Sequence, residues 1–169
     1  MSKVVAFLLA NQFEDSEMKE PYDAVIKAGH KAIIIGLKKG EILKGKKGQS
    51  TYTTDQAIAD SKIVDYDAIV IPGGSSPEAL RLNSNILEFV KEANDKKLPI
   101  AAICHGPQIL ISAALLNGRT ITSYQALQDD VVNAGAKFKD EEVVVDGNFI
   151  TSRTPEDEPA FIRELLKVL

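Results

Sequence analysis

The chain has 169 residues, a net charge of −4, one cysteine and two histidines. That length suits one domain with a core that needs no staples, and a lone cysteine excludes an intramolecular disulfide. One Cys and two His leave only carboxylates to complete a zinc site, the acidic balance argues against nucleic acid as the main partner, and no stretch approaches the ~20 apolar residues of a membrane span.

Short apolar, β-branched runs alternate with amphipathic ones, the pattern of βαβ units around a buried sheet. Lys3–Leu9 reads as a strand whose nearly unbroken apolarity suits the centre of a parallel sheet. Glu14, Asp15 and Glu17 follow too soon for a secretion signal, so a cytoplasmic protein is expected. Asp15–Ala28 reads as a helix ended by Gly29, with Pro21 bending it or near its first turn, and His30 as a surface residue at the corner. Lys31–Leu37 is a second strand. From Gly40 to Thr54, Gly40, Gly45 and Gly48 separate strand-like pieces of a β excursion; Lys38, Lys39, Lys44, Lys46 and Lys47, which lack stacking aromatics, read as the charges of a solvated hairpin in preference to an anion site.

Ala68–Ile71 is a strand left through Pro72-Gly73-Gly74, Ser84–Lys97 a helix, and Pro99–Ile103 a strand running into Cys104. A helix from about Pro107 to Leu116 stops at Asn117-Gly118. Thr120–Ser123 reads as a strand and Gln125–Ala134 as a short helix. Val143–Val145 and Phe149–Thr151 flank Asp146-Gly147-Asn148, a hairpin signal, and a last helix begins near Thr154-Pro155 with Thr154 as its cap.

Ile103-Cys104-His105-Gly106-Pro107 carries the chemistry. A strand–nucleophile–helix turn lifts a side chain above the sheet edge and aims a helix start at the sulfur, which favours thiolate over thiol. A buried, inert thiol is the commoner fate of a free cysteine, but the His-Gly-Pro that follows points to a reactive one. Gly73 and Gly74, after a strand expected to be adjacent, are candidates for backbone oxyanion donors. His105 is the one plausible partner for Cys104, although chain neighbours seldom point their tips together. Glu14 is placed to tune the sulfur if the first strand lies beside the Cys strand; on spacing alone it is an ordinary first-turn acid.

Ala10-Asn-Gln-Phe-Glu-Asp15, Ile71-Pro-Gly-Gly74 and above all Ala102-Ile-Cys-His-Gly-Pro-Gln-Ile-Leu-Ile-Ser112 resemble the PfpI intracellular cysteine protease family of the ThiJ/PfpI superfamily, which has a class I glutamine amidotransferase-like fold. The similarity runs on through Thr122-Ser-Tyr124, Val143-Val-Val-Asp-Gly-Asn148 and Thr151-Ser-Arg153, so it spans the chain. The resemblance implies one α/β domain over residues 1–169, a flavodoxin-like three-layer sandwich with a mostly parallel central sheet and helices on both faces, assembling as dimers or hexamers. It also implies Cys104 as nucleophile, His105 as its partner, Glu14 as the carboxyl bonded to sulfur, Glu78 as the acid lent to the histidine by a neighbouring subunit, Gly73 or Gly74 as oxyanion donor, and no cofactor or metal. Tyr124 is expected at the substrate. The chain departs from the family's Gly-Lys-His-Gly at Gly45-Lys46-Lys47-Gly48 and from Tyr-Pro-Gly at Tyr124-Gln125-Ala126, both in expected rim loops.

The expected function is that of a cysteine hydrolase of the PfpI peptidase type, its substrate a peptide or a small carbonyl compound. A glyoxalase III-type enzyme or a deglycase of methylglyoxal-type adducts uses the same attack and stands beside it. In a different class, Cys104 would be the oxidisable thiol of a stress-response sensor or chaperone. Class I glutamine amidotransferases and α/β-hydrolases need a histidine downstream, and none follows His105. The glycines match neither a Walker nor a Rossmann phosphate loop.

Overall fold

A computed structural model describes residues 1–169. Its main sheet has seven strands: β1 (Val4–Leu8), β2 (Lys31–Gly36), β5 (Gln56–Ala57), β6 (Ala68–Ile71), β7 (Ile100–Ile103), β10 (Val144–Asp146) and β11 (Phe149–Ser152). Their order is β10-β11-β7-β6-β1-β2-β5, and only the β10–β11 pair is antiparallel. The Asp146-Gly147-Asn148 turn thus makes the hairpin its composition predicts. Two ribbons stand apart from the sheet: antiparallel β3 (Ile42–Lys44) with β4 (Thr51–Thr53), which is the expected excursion, and parallel β8 (Thr120–Ile121) with β9 (Lys137–Phe138).

Side-chain alternation along the strands divides the core in two. Ala6, Leu8, Ile69, Ile71, Ile100 and Ala102 face α3 (Ser84–Asp95), α4 (Pro107–Ser112) and α5 (Gln128–Asn133). Val5, Phe7, Val70, Ala101 and Ile103 face α1 (Asp15–Lys27) and α6 (Glu158–Lys167) through Met18, Val25, Phe161 and Leu165. Both faces of the central strands are covered, so β1, β6 and β7 are apolar almost throughout. The result is the expected three-layer sandwich.

Several elements differ from expectation. α2 (Ser76–Leu80) was hidden behind Pro77, which sits in its first turn. α1 accommodates Pro21 in its interior. The last helix starts with a 3-10 turn over Pro155–Asp157, and Thr154 makes no side-chain cap. His30 Nδ1 accepts from the backbone N–H of Lys3 at 3.0 Å, which ties the start of β1 to the turn before β2. No helix is long and apolar enough to cross a membrane.

Strand order sets the site. The chain leaves β1 towards β2 on one side and returns to β6 on the other, so the carboxyl ends of β1, β6 and β7 open a crevice where the connections diverge. Phe13 and Glu14, Gly73 and Gly74, and Cys104 all lie past those ends.

Candidate active site

Cys104 follows β7 in a left-handed conformation, φ +62, with its N–H donating to Ser152 O at 3.0 Å. A residue with a Cβ adopts that conformation only where its surroundings impose it. The effect here is to swing two adjacent side chains together: Sγ lies 3.2 Å from His105 Nδ1. The objection that chain neighbours point apart assumes ordinary strand or helix geometry, and the elbow has neither. The N–H groups of Gly74 and His105 are directed at the sulfur.

Cys104 is 8% exposed and packs with the α1/α6 half of the core. Burial pushes its thiol up to about 12, with the charge of Glu17 adding to the rise, while the two N–H groups and Lys46 pull the other way. The expectation that the helix start makes the sulfur acidic is therefore corrected. The Gly74 and His105 N–H groups and Lys46 favour the anion, but the loss of hydration outweighs them. Burial also lowers His105, and Lys46 adds to this, so the ring is neutral at neutral pH and can accept a proton at Nδ1.

The carboxyl beside the sulfur is Glu17, not Glu14. The expectation for Glu14 required β1 to neighbour β7, and β6 intervenes. Glu17 is fully buried, and its Oε1 accepts from Gly73 N at 3.0 Å. A Cβ on Gly73 would lie 2.4 Å from that oxygen and 2.8 Å from Cys104 Cβ, so this glycine is the spacer that lets acid and thiol approach. Oε2 of Glu17 is buried with no hydrogen-bond partner. Burial, helped by the charge of Glu14, pushes Glu17 up to about 8, so it keeps its proton at neutral pH. Its opposing charge is then absent, and the proton is available to a nearby anion. Sequence spacing offered one clue: Glu17 falls one helical turn after Glu14, on the same side of the helix.

Glu14 instead belongs to the rim. It is 5% exposed and paired with two cations, Lys46 Nζ at 2.7 Å from Oε2 and Lys47 Nζ at 2.8 Å from Oε1. Burial alone would raise its pKa, but the two lysines reverse the sign and hold it below the usual range. Asp15 shapes the loop that carries them. Its carboxylate accepts from the N–H groups of Lys47, Gln49 and Ser50, each at 2.9 Å, and from Ser50 Oγ at 3.1 Å. Gly45 leaves room for it, since a Cβ there would sit 2.0 Å from Asp15 Oδ1. Phe13 bridges this loop to the other side of the crevice, pairing with both Gly45 and Gly74. Lys46 and Lys47 are thus not free hairpin charges; Lys38 and Lys39 are, as expected, exposed.

A profile of the DJ-1/PfpI family matches residues 3–168. This chain belongs to that family. It is 46% identical to "Protein/nucleic acid deglycase 2" of Escherichia coli (strain K12), an alignment covering 100% of this chain and 99% of the relative. It is 47% identical to "Putative cysteine protease YraA" of Bacillus subtilis (strain 168), again over 100% and 99%. Its fold superimposes with a TM-score of 0.97 and 40% identity on a crystal structure from Anabaena variabilis ATCC 29413, a two-domain protein with dj-1/thij/pfpi-like and ferritin-like domains. That match covers 98% of this chain and 48% of the other, so this DJ-1/PfpI chain spans about half of that protein.

The remaining expected residues of this DJ-1/PfpI site fall around His105. Tyr124 stacks on the imidazole, ring centroids 4.8 Å apart at 24°, and its N–H donates to Cys104 O at 2.9 Å. Glu78 is exposed on α2, and its charge acts on His105. Of the glycine pair, Gly73 has committed its N–H to Glu17, which leaves Gly74 as the donor towards the sulfur. A hollow of about 540 Å³ opens beside Tyr124, lined also by Gln125, Ala126, Asp140, Arg153 and Thr154. Another of about 530 Å³, around Arg81, Gln108 and Asn133, includes neither Cys104 nor His105 in its wall and has no part in this chemistry.

Proposed function

We propose that this chain is a cysteine hydrolase of small electrophilic carbonyl compounds, free or as early adducts on amines, in the manner of a glyoxalase III or deglycase. The observation that carries it is the left-handed Cys104, turned onto His105 with a protonated Glu17 behind it. His105 Nδ1 takes the thiol proton, and sulfur forms a bond to the carbonyl carbon. The carbon–oxygen π pair moves onto oxygen, where the Gly74 N–H is placed to stabilise it. Glu17 acts before that step: its proton can bond to the nascent thiolate, which burial alone would disfavour. For methylglyoxal a proton then shifts from the former aldehyde carbon to the adjacent carbonyl carbon, giving a lactoyl thioester, and one water cleaves the S–C bond to release lactate and the free thiol. One carbon is oxidised as its neighbour is reduced, so no external oxidant or reductant is needed.

The confined sulfur favours a small reacting group, and the hollow beside Tyr124 offers room for the carrier of an adduct. A peptidase reading is supported by the protease name of the Bacillus relative. Self-association also belongs to our reading. Exposed Glu78 stands near Leu82, which is 85% exposed, on a face suited to a neighbouring subunit. A cytoplasmic location completes it.

The test is turnover of methylglyoxal to lactate against hydrolysis of casein and fluorogenic peptides, with Cys104→Ser as the control. We expect lactate formation to fall by at least about 10³-fold in Cys104→Ser and peptide hydrolysis to be the weaker activity. Lactate formation unchanged in Cys104→Ser would overturn the role of the thiol. Thiol-dependent peptide turnover exceeding that of the aldehyde would establish the peptidase instead.

A further inference from the structure

The Lys46–Lys47 pair is not used by the chemistry above, yet both ammonium groups are paired with one buried carboxylate at the crevice. Its two counter-charges lie beneath it: Glu14 and Asp15 are 5% and 3% exposed. The ammonium groups form the outer layer, with side chains 43% and 53% exposed. A solute approaching the sulfur from that side meets cations first. Each ammonium has three donors and bonds Glu14 through one contact, so donors remain for a second oxyanion. The Asp15 staple and the Phe13 bridges hold the loop backbone in place, which reduces the ordering a ligand must impose. Lys46 acts electrostatically on Cys104, on His105 and on Glu17, so it lies on the sulfur side of the pair. Other ionisable groups nearby are Glu78, across the crevice near His105, Glu156, fully exposed beyond Lys47, and buried Glu158, which acts on Glu17 and is raised to about 7 chiefly by its burial.

We infer that Lys46 and Lys47 form a carboxylate-recognition subsite at the mouth of the crevice, selecting electrophiles that carry a carboxylate close to the carbon the sulfur attacks. A bound carboxylate would be shared between the two ammoniums, as Glu14 is from below, with its reactive carbon towards Cys104. Lys46 is the principal specificity residue and Lys47 the secondary one. The inference rests on Cys104 being the attacking group.

The test compares alkylation of Cys104 by iodoacetate and by iodoacetamide, which differ in one negative charge; in each, sulfur displaces iodide and forms an S–C bond. Both reagents require the thiolate, so their rate ratio is independent of any change in the thiol pKa. We expect Lys46→Met to lower the iodoacetate-to-iodoacetamide ratio about five- to tenfold at low ionic strength and Lys47→Met to lower it about two- to threefold. Lys46→Arg should retain it. Raising sodium chloride to about 0.5 M should lower the wild-type ratio more than that of Lys46→Met, which keeps only Lys47. Lys44→Met, on β3, serves as a control with an unchanged ratio. A ratio unaffected by salt in the wild-type protein overturns the inference even if a variant fails to fold, as does an unchanged ratio in both Met variants. Failure of the hydrolase reading looks different, as absent carbonyl turnover alongside a normal alkylation ratio.

Discussion

Glu14 and Glu17 stand one helical turn apart at the start of α1, both sealed from solvent, and at neutral pH they hold opposite charge states. Burial pushes both upward. Glu14 meets two ammonium groups and stays ionised; Glu17 meets one backbone N–H and the thiol, and is pushed up to about 8. The difference comes from where the chain returns. The β3–β4 ribbon brings lysines over Glu14, whereas the turn after β6 brings only glycine amides to Glu17. One residue type thus stands ionised at the rim and protonated beside the sulfur, with neighbours alone deciding which.

Exchanging the roles should expose the contrast. Glu17→Ala is expected to lower carbonyl turnover by about 10²–10³-fold, and Glu14→Ala by less than about fivefold. Steady-state kinetics on both variants checks this, and equal losses would erase the distinction. A second separation is in stability against pH. Glu17 binds its proton more tightly folded than unfolded, so it favours the fold fully at low pH, and that contribution is lost as pH rises from about 4.5 through about 8. Glu17→Gln lacks this loss and should gain on the wild type by about 2–4 kcal/mol between pH 5 and pH 9. Denaturant titrations at the two pH values read the difference, and a constant offset would show that Glu17 titrates normally. The smallest effect is on Glu14. Its pKa is lowered, so its contribution is present at neutral pH and fades as pH falls through its folded value. Glu14→Gln should cost about 1–2 kcal/mol at pH 7 and progressively less as the pH is lowered, by thermal unfolding.

The layers of the fold were legible because burial on both faces writes itself into a strand as an apolar run, and β1, β6 and β7 were found by that mark. The elbow was legible because Cys-His-Gly-Pro after such a strand has few other uses. The identity of the acid was not, because it depends on strand order, which local pattern does not contain: with β6 between β1 and β7, the residue just past β1 cannot reach the sulfur, while one a turn further along α1 can approach it past Gly73. The lysine ribbon is the exposed hairpin expected, but its pairing with Glu14 was not legible, for a related reason. Its composition is that of a solvated hairpin, and only the three-dimensional return of the chain shows that Lys46 and Lys47 cover two buried carboxylates. The short α2 escaped because five residues carry too little periodicity to register.

The backbone at position 104 has a bearing on what a substitution there would do. At φ +62 glycine fits without strain, and every residue with a Cβ is held there against its own preference by about 1 kcal/mol or more. Replacing Cys104 by glycine would relieve that strain but forfeit the sulfur's packing in the α1/α6 half of the core, so backbone and side chain pull in opposite directions at this one position.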